Sequence, residues 1–334
     1  MRTQISKTIL LTGAGFTKNF GGFVATEMWA KIFNCCEVQK EPVLKNILLN
    51  DFDYESVYHK VFDGAYSAGE KEAINSAILG AYRKLDDIGR NYIPATDKSK
   101  SSILSGAKQI IDRLASNQQI NFLFTLNQDL FVERLISGTY IPITTPQMSR
   151  FFIPNSSDSR LPVNVADFKT VPTQNTLDTT KHATMLSPKE LHYIKLHGSF
   201  GWKGSDRSNK LVIGRNKEIQ IASEPLLLWY SDLFKQVLSQ GERKLLIIGY
   251  GFRDAHINEP IAEAIERHGL KLYIISPTDP SVFKDELIRA DHVCGKGIFE
   301  GLTGYIRTSF KDLFPPDGND TDAWRELQEI FFIG

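Results

Sequence analysis

The chain has 334 residues, 42% of them hydrophobic and 23% charged, a globular make-up large enough for one sizeable core and a second module. Lysine plus arginine and aspartate plus glutamate each number 39, so the formal net charge is zero and gives no global electrostatic reason to expect nucleic acid. No apolar run approaches the ~18 residues of a membrane helix, the N-terminus lacks the order of a signal peptide, and three cysteines (Cys35, Cys36, Cys294) are too few for a disulfide framework, so a reducing, cytoplasmic setting is expected.

The first apolar run, Thr8–Thr12, enters the small-residue turn Gly13-Ala14-Gly15-Phe16-Thr17. Such a turn allows close backbone approach, and its N–H groups with Thr17 suit a phosphate. Two common phosphate loops do not fit. Gly-x-Gly-x-x-Gly needs glycine at Lys18, and Gly-x-x-x-x-Gly-Lys-[Ser/Thr] needs it there too, with lysine at Asn19. A dehydrogenase would also place a ribose-binding acid ~20 residues on, after a second strand. The segment Val24–Phe33 reads as helix instead.

From Asn34 to Asn117 the pattern is helical. Asp51–Phe62, Glu70–Arg90 and Ser101–Ala115 carry apolar residues at three- and four-residue spacing, and no strand interrupts them. A βαβ crossover needs far less chain, so this reads as an inserted helical module. Ile120–Thr125 is the second buried strand, followed by Leu126-Asn127-Gln128-Asp129. Asn127 and Asp129 offer a donor, an acceptor and a charge, suited to a carboxamide or a water, although Asp129 also suits a helix cap. Gly138–Thr184, rich in Thr, Ser, Pro and Asn, reads as a long loop region with short strands at most.

His192–Leu196 is the third strand, leading to His197-Gly198-Ser199. An imidazole at a strand exit can exchange a proton near neutral pH; the other histidines, His256 included, have no such company and read as structural. A helix over Leu226–Gln240 precedes the strand Lys244–Ile248, which ends in Gly249-Tyr250-Gly251-Phe252-Arg253-Asp254. The helix Ala255–His268 and the strand Lys271–Ile275 follow, the latter delivering Ser276 and Asp279. From Gly301 to Phe332 two short helices are expected around Phe314-Pro315-Pro316-Asp317-Gly318. Five buried strands, each with polar or glycine residues past its C-terminal end, predict an α/β fold with one site built from their loops.

Gly13-Ala14-Gly15-Phe16-Thr17, Asn127-Gln128-Asp129 and Leu196-His197-Gly198, in this order and before a late glycine loop, resemble the sirtuins, the silent-information-regulator-type proteins. The resemblance runs from about Thr8 to Asp279. It implies a Rossmann-like parallel sheet with NAD+ as substrate. Asn127 and Asp129 would lie on the nicotinamide side and His197 at the nicotinamide ribose. Gly13, Ala14, Gly15, Phe16 and Thr17 would lie at the phosphates, and Gly249, Tyr250, Gly251 and Ser276 at the adenosine half. On this reading residues 1–34 and 118–315 form the NAD-binding core, 35–117 the helical insert and 316–334 a C-terminal tail.

Protein-deacylating sirtuins carry a four-cysteine zinc module after Leu-His-Gly, and three cysteines cannot build one, so no zinc is expected. Gly21-Gly22-Phe23-Val24-Ala25-Thr26-Glu27-Met28-Trp29 and the Gly-Tyr-Gly-Phe-Arg-Asp loop resemble the bacterial sirtuin-like NAD hydrolases of anti-phage defence, among them the partners of HerA-type ATPases. That resemblance implies release of nicotinamide and ADP-ribose from NAD+, with Asn127, Asp129 and His197 catalytic. Free NAD hydrolysis would harm the cell, so gating by assembly is expected, in a homo-oligomer or with a HerA-type ATPase/helicase, through the insert or the tail. The competing readings are an NAD-dependent protein deacylase and a non-catalytic NAD or ADP-ribose sensor; a nuclease finds no metal cluster of suitable spacing in the sequence.

Overall fold

The structure is a computed structural model that describes residues 5–115, 119–136, 143–144, 171–183, 191–204, 209–214, 216–288 and 292–333. Most of the stretch read as a loop, Gly138–Thr184, lies outside the described residues; within it are a two-residue strand and the helix Gln174–Ala183. The strands among the described residues are β1 (Ile5–Thr12), β2 (Ile120–Thr125), β3 (Ile143–Thr144), β4 (Leu191–Lys195), β5 (Gly198–Lys203), β6 (Asn209–Leu211), β7 (Lys244–Ile248), β8 (Lys271–Ser276) and β9 (Leu302–Arg307).

Among the described residues, seven strands form one sheet in the order β3-β4-β2-β1-β7-β8-β9, while β5 and β6 pair as a separate antiparallel hairpin. Every neighbouring pair in the large sheet is parallel. The fold is thus α/β and Rossmann-like, as expected. The five strands expected from apolar runs all lie in this sheet. They were legible because a parallel sheet covered on both faces is made of near-continuous hydrophobic runs.

Side chains alternate between two cores, as the period of a strand requires. Leu10, Leu123, Tyr193, Leu246 and Tyr273 face the core that the helical insert and the C-terminal segment share. Ile9, Leu11, Phe122, Phe124, Ile194, Leu245 and Ile247 face the other, with Tyr230 and Phe234 of the helix Pro225–Leu238.

Among the described residues between β1 and β2, every element is a helix. The helix Ala68–Arg90 begins at a reciprocal cap: Glu70 N–H donates to Ser67 Oγ at 3.2 Å, and Ser67 N–H to Glu70 Oε2 at 2.7 Å. Ile74, Ala77, Ile78, Ala81, Tyr82 and Leu85 form its buried stripe. A buried ion pair between Asp86 and Arg134 joins this helix to the helix Phe131–Leu135 after β2.

The C-terminal region holds the two expected short helices and adds a strand ahead of them. It opens with β9, paired parallel to β8, before the short helices Phe310–Leu313 and Asp322–Leu327. As the edge strand, β9 buries only Ile306 among its six residues, so no apolar run marks it. Trp324, Leu327 and Phe331 are buried in the core shared with the insert. Lys244 Nζ, at the start of β7, donates to the Ile330 carbonyl at 3.0 Å.

Candidate active site

In the sheet order, the chain runs outward in one direction from β1 to β2 and β4, and in the other from β7 to β8 and β9. The junction of β1 and β7 is therefore the topological switch point, where open α/β sheets bind ligands beyond the strand ends. Two cavities open there among the described residues, both lined by Gly15, Gly249, Tyr250 and Gly251. The larger, about 750 Å³, is also lined by Gly13, Ala14, Asn127, Asp129, His197, Asp254 and His256. The smaller, about 340 Å³, is lined by Phe252, Ser276, Thr278 and Phe283 on the β7–β8 side. Most of the residues assigned by resemblance to the two halves of a dinucleotide are thus distributed over two adjoining cavities that share one glycine turn, while Phe16 and Thr17 are buried and line neither.

The turn after β1 interlocks with the turn after β7. Gly13 N–H donates to Ile248 O at 3.0 Å, Gly15 N–H to Gly249 O at 2.9 Å, and Phe16 N–H to Gly13 O at 2.9 Å. A Cβ on Gly13 would lie 2.6 Å from Gly249 O, and one on Gly249, whose φ is +71°, would lie 2.1 Å from Phe16 N. These glycines are required by backbone packing before any ligand arrives. Three of the N–H groups of the expected phosphate turn, those of Gly13, Gly15 and Phe16, are hydrogen-bonded within the fold. Phe16 is also turned inward, edge-on to Phe20 and Phe310. Gly251 differs. Its Cβ would meet nothing within 4 Å, yet it lines both cavities.

Asn127 is 8% exposed, and its Nδ2 donates to Gly13 O at 2.9 Å, tying the β2 exit to the β1 turn. Asp129 Oδ1 accepts from Phe131 N–H at 3.0 Å just ahead of the helix Phe131–Leu135, whose N-cap is Leu130 and not the expected Asp129, and the Thr17 hydroxyl stands beside the same carboxyl. Burial pushes the Asp129 carboxyl up to about 6, although the Lys195 ammonium and the Phe131 hydrogen bond oppose the rise. Lys195 is itself 1% exposed and pairs with Glu133 at 2.8 Å. Asp129 thus holds the turn before that helix through Phe131 N–H and remains a buried carboxyl raised to about 6.

His197 is 4% exposed, and burial drives its imidazole down to about 3. Its Nε2 lies 2.8 Å from Nε2 of His256, on the helix Ala255–His268 that follows β7. Asp254, beside them, is paired with Lys217 Nζ at 2.8 Å, and Lys217 also pairs with Glu55 of the helical insert at 2.7 Å. Burial works to raise the Asp254 carboxyl, but His197 and Lys217 hold it below its ordinary value. His197, Asp254 and His256 bring ligand-type atoms within 4.8 Å of one another, near enough to hold a cation. The positive charge beside Asp254 is already supplied by the Lys217 ammonium.

Tyr250 and Phe252 are set by Asn258, which is fully buried. Asn258 Oδ1 accepts from the Tyr250 hydroxyl at 2.9 Å, and its Nδ2 donates to Phe252 O at 2.6 Å. The clamp holds Phe252 at φ +57°, a left-handed conformation that costs a bulky residue roughly 1–2 kcal/mol.

His256, Lys217, Glu55 and Gln128 are the site residues that sequence reasoning missed. Gln128 Nε2 donates to the carbonyls of His197 (3.1 Å) and Val212 (2.6 Å), and its Oε1 accepts from Tyr82 of the insert. Only His256 carried a usable signal: it stands two residues past the Gly-x-Gly turn's arginine-aspartate pair, in the first turn of the helix that follows β7.

A switch-point crevice with glycine-lined walls, an amide, a carboxyl and a buried imidazole defines a nucleotide-binding α/β protein. Residues 121–294, just over half the chain, match the SIR2-like domain, and the chain belongs to that family. No curated protein matches the chain. Members of the SIR2-like family are NAD-dependent enzymes, and membership implies NAD+ as substrate.

Proposed function

We propose that the protein is an NAD+ hydrolase that cleaves the nicotinamide–ribose bond with water, giving nicotinamide and ADP-ribose. The observation that carries the reading is the convergence of Asn127, Asp129 and His197 on the larger cavity, beside the Gly13–Gly15 turn. Cleavage of an N-glycosidic bond passes through an oxocarbenium-like transition state, which an anionic carboxylate stabilises. Asp129 serves there, Asn127 orients the carboxamide or the water, and His197 accepts the proton. The cavities fix the pyrophosphate and adenosine halves and so supply orientation. Hydrolysis is favoured over deacylation because three cysteines cannot form the zinc module of the protein deacylases.

The setting belongs to the same proposal: a cytoplasmic effector of anti-phage defence that depletes NAD+ when assembled, as a homo-oligomer or with a HerA-type ATPase. Exposed Val43, Leu49 and Phe52 on the insert are candidates for the assembly surface. Incubation of the purified protein with NAD+, with and without an acylated peptide, tests the chemistry: hydrolysis needs no peptide. Product formation only with peptide would replace the hydrolase by a deacylase, and binding without turnover in every assembly state would leave a sensor.

A further inference from the structure

We infer that His256 is a positioning residue for His197, accepting its Nε2–H and taking over the proton that His197 abstracts. The chemistry rests on the hydrolase reading; the geometry does not. The two Nε2 atoms are 2.8 Å apart, both rings are at least nine-tenths buried by side-chain exposure, and both line the larger cavity. Across that gap one ring must donate and the other accept. Glu218 Oε1 lies 3.7 Å from His256 Nδ1. A carboxylate on that side favours the proton on Nδ1, which leaves the His256 Nε2 lone pair to accept from His197 Nε2–H. The remaining lone pair of His197, on Nδ1, is then its basic atom.

Water gives a proton to His197 Nδ1 while its oxygen bonds to the ribose C1′. The C1′–N bond breaks, and nicotinamide leaves with the electron pair. The Nε2 proton of His197 passes to His256 Nε2, and His256 becomes the imidazolium. Burial holds both imidazoles below their ordinary value, so His197 alone is a weak base. Sharing the proton moves the charge towards carboxylates. The charged groups facing the pair are Asp254 and Glu218, which stabilise it, and Lys217 and Lys235, which oppose it.

Two measurements test the inference on the full-length protein. Imidazole nitrogen NMR of histidine-labelled wild type, without NAD+, reads the tautomers directly. The expected result is His256 protonated on Nδ1 and His197 on Nε2; the reverse pair overturns the inference. The second is NAD+ turnover by H256Q, whose amide oxygen still accepts from His197 but cannot take its proton. Its kcat should fall ~100-fold with KM nearly unchanged, and the acid limb of its pH profile should move. Wild-type kcat and profile in folded H256Q would overturn the inference while leaving the hydrolase reading standing. The expected tautomers in a wild type that never releases nicotinamide would support the pair and overturn the hydrolase reading.

Discussion

Replacing Asp129 by asparagine should stabilise the protein while abolishing turnover. The folded carboxyl titrates near 6 against an ordinary 3.8, because burial outweighs the attraction of Lys195. Two units correspond to roughly 3 kcal/mol. The sign follows from proton counts: between about pH 4 and 6 the folded state binds more protons than the unfolded one, so stability is lost as pH rises through 6. At about pH 7.5 the wild type therefore carries an unfavourable buried carboxylate that D129N lacks, and the Asn oxygen can still accept from Phe131 N–H. Loss of the attraction to Lys195 is already contained in the net shift. Urea unfolding of both proteins at about pH 7.5 and about pH 4.5 measures the difference. D129N should be more stable by up to roughly 3 kcal/mol at the higher pH, with the gap shrinking at the lower. A destabilised D129N at about pH 7.5, or a gap independent of pH, would refute the reasoning. A gain in stability with loss of nicotinamide release would mark Asp129 as a group kept for chemistry at the expense of the fold.

Gly251→Ala should leave the melting temperature within about a degree, since its Cβ meets nothing, yet weaken NAD+ binding at least about tenfold by calorimetry; unchanged affinity would remove the close approach inferred there. Gly249→Ala, with φ at +71° and a Cβ 2.1 Å from Phe16 N, should cost several kcal/mol of stability in urea unfolding. Lys195→Met should cost about 3–5 kcal/mol by leaving Glu133 buried and unpaired, and adding Glu133→Leu should recover much of the loss in the same assay. Asn127→Asp should lower the melting temperature more than Asn127→Ala does, because it sets a carboxylate against the Gly13 carbonyl.

The parallel sheet was legible because β1, β2, β4, β7 and β8 are buried on both faces and read as apolar runs. The half-exposed edge strand β9 lacked that signature and was not read as a strand. Strand exits displayed Asn127, Asp129 and His197, since the parallel topology places all such exits at one end of the sheet. The glycines of the first turn were visible, but not their main duty. That duty depends on the β7 turn, far away in the chain, pressing against them. The ion-pair chain Glu55–Lys217–Asp254 joins three segments with no local motif in common, and only the fold brings them together. His256 escaped notice because a histidine early in a helix looks structural until its partner across the crevice is known.

The most direct test of the central claim is product analysis of the purified protein with NAD+ alone, as monomer, as any larger assembly it forms, and with a HerA-type ATPase. The account predicts equal amounts of nicotinamide and ADP-ribose without peptide in at least one of these states, lost in folded His197→Ala and Asn127→Ala. No product in any state, or full activity in a folded His197→Ala protein, would contradict it.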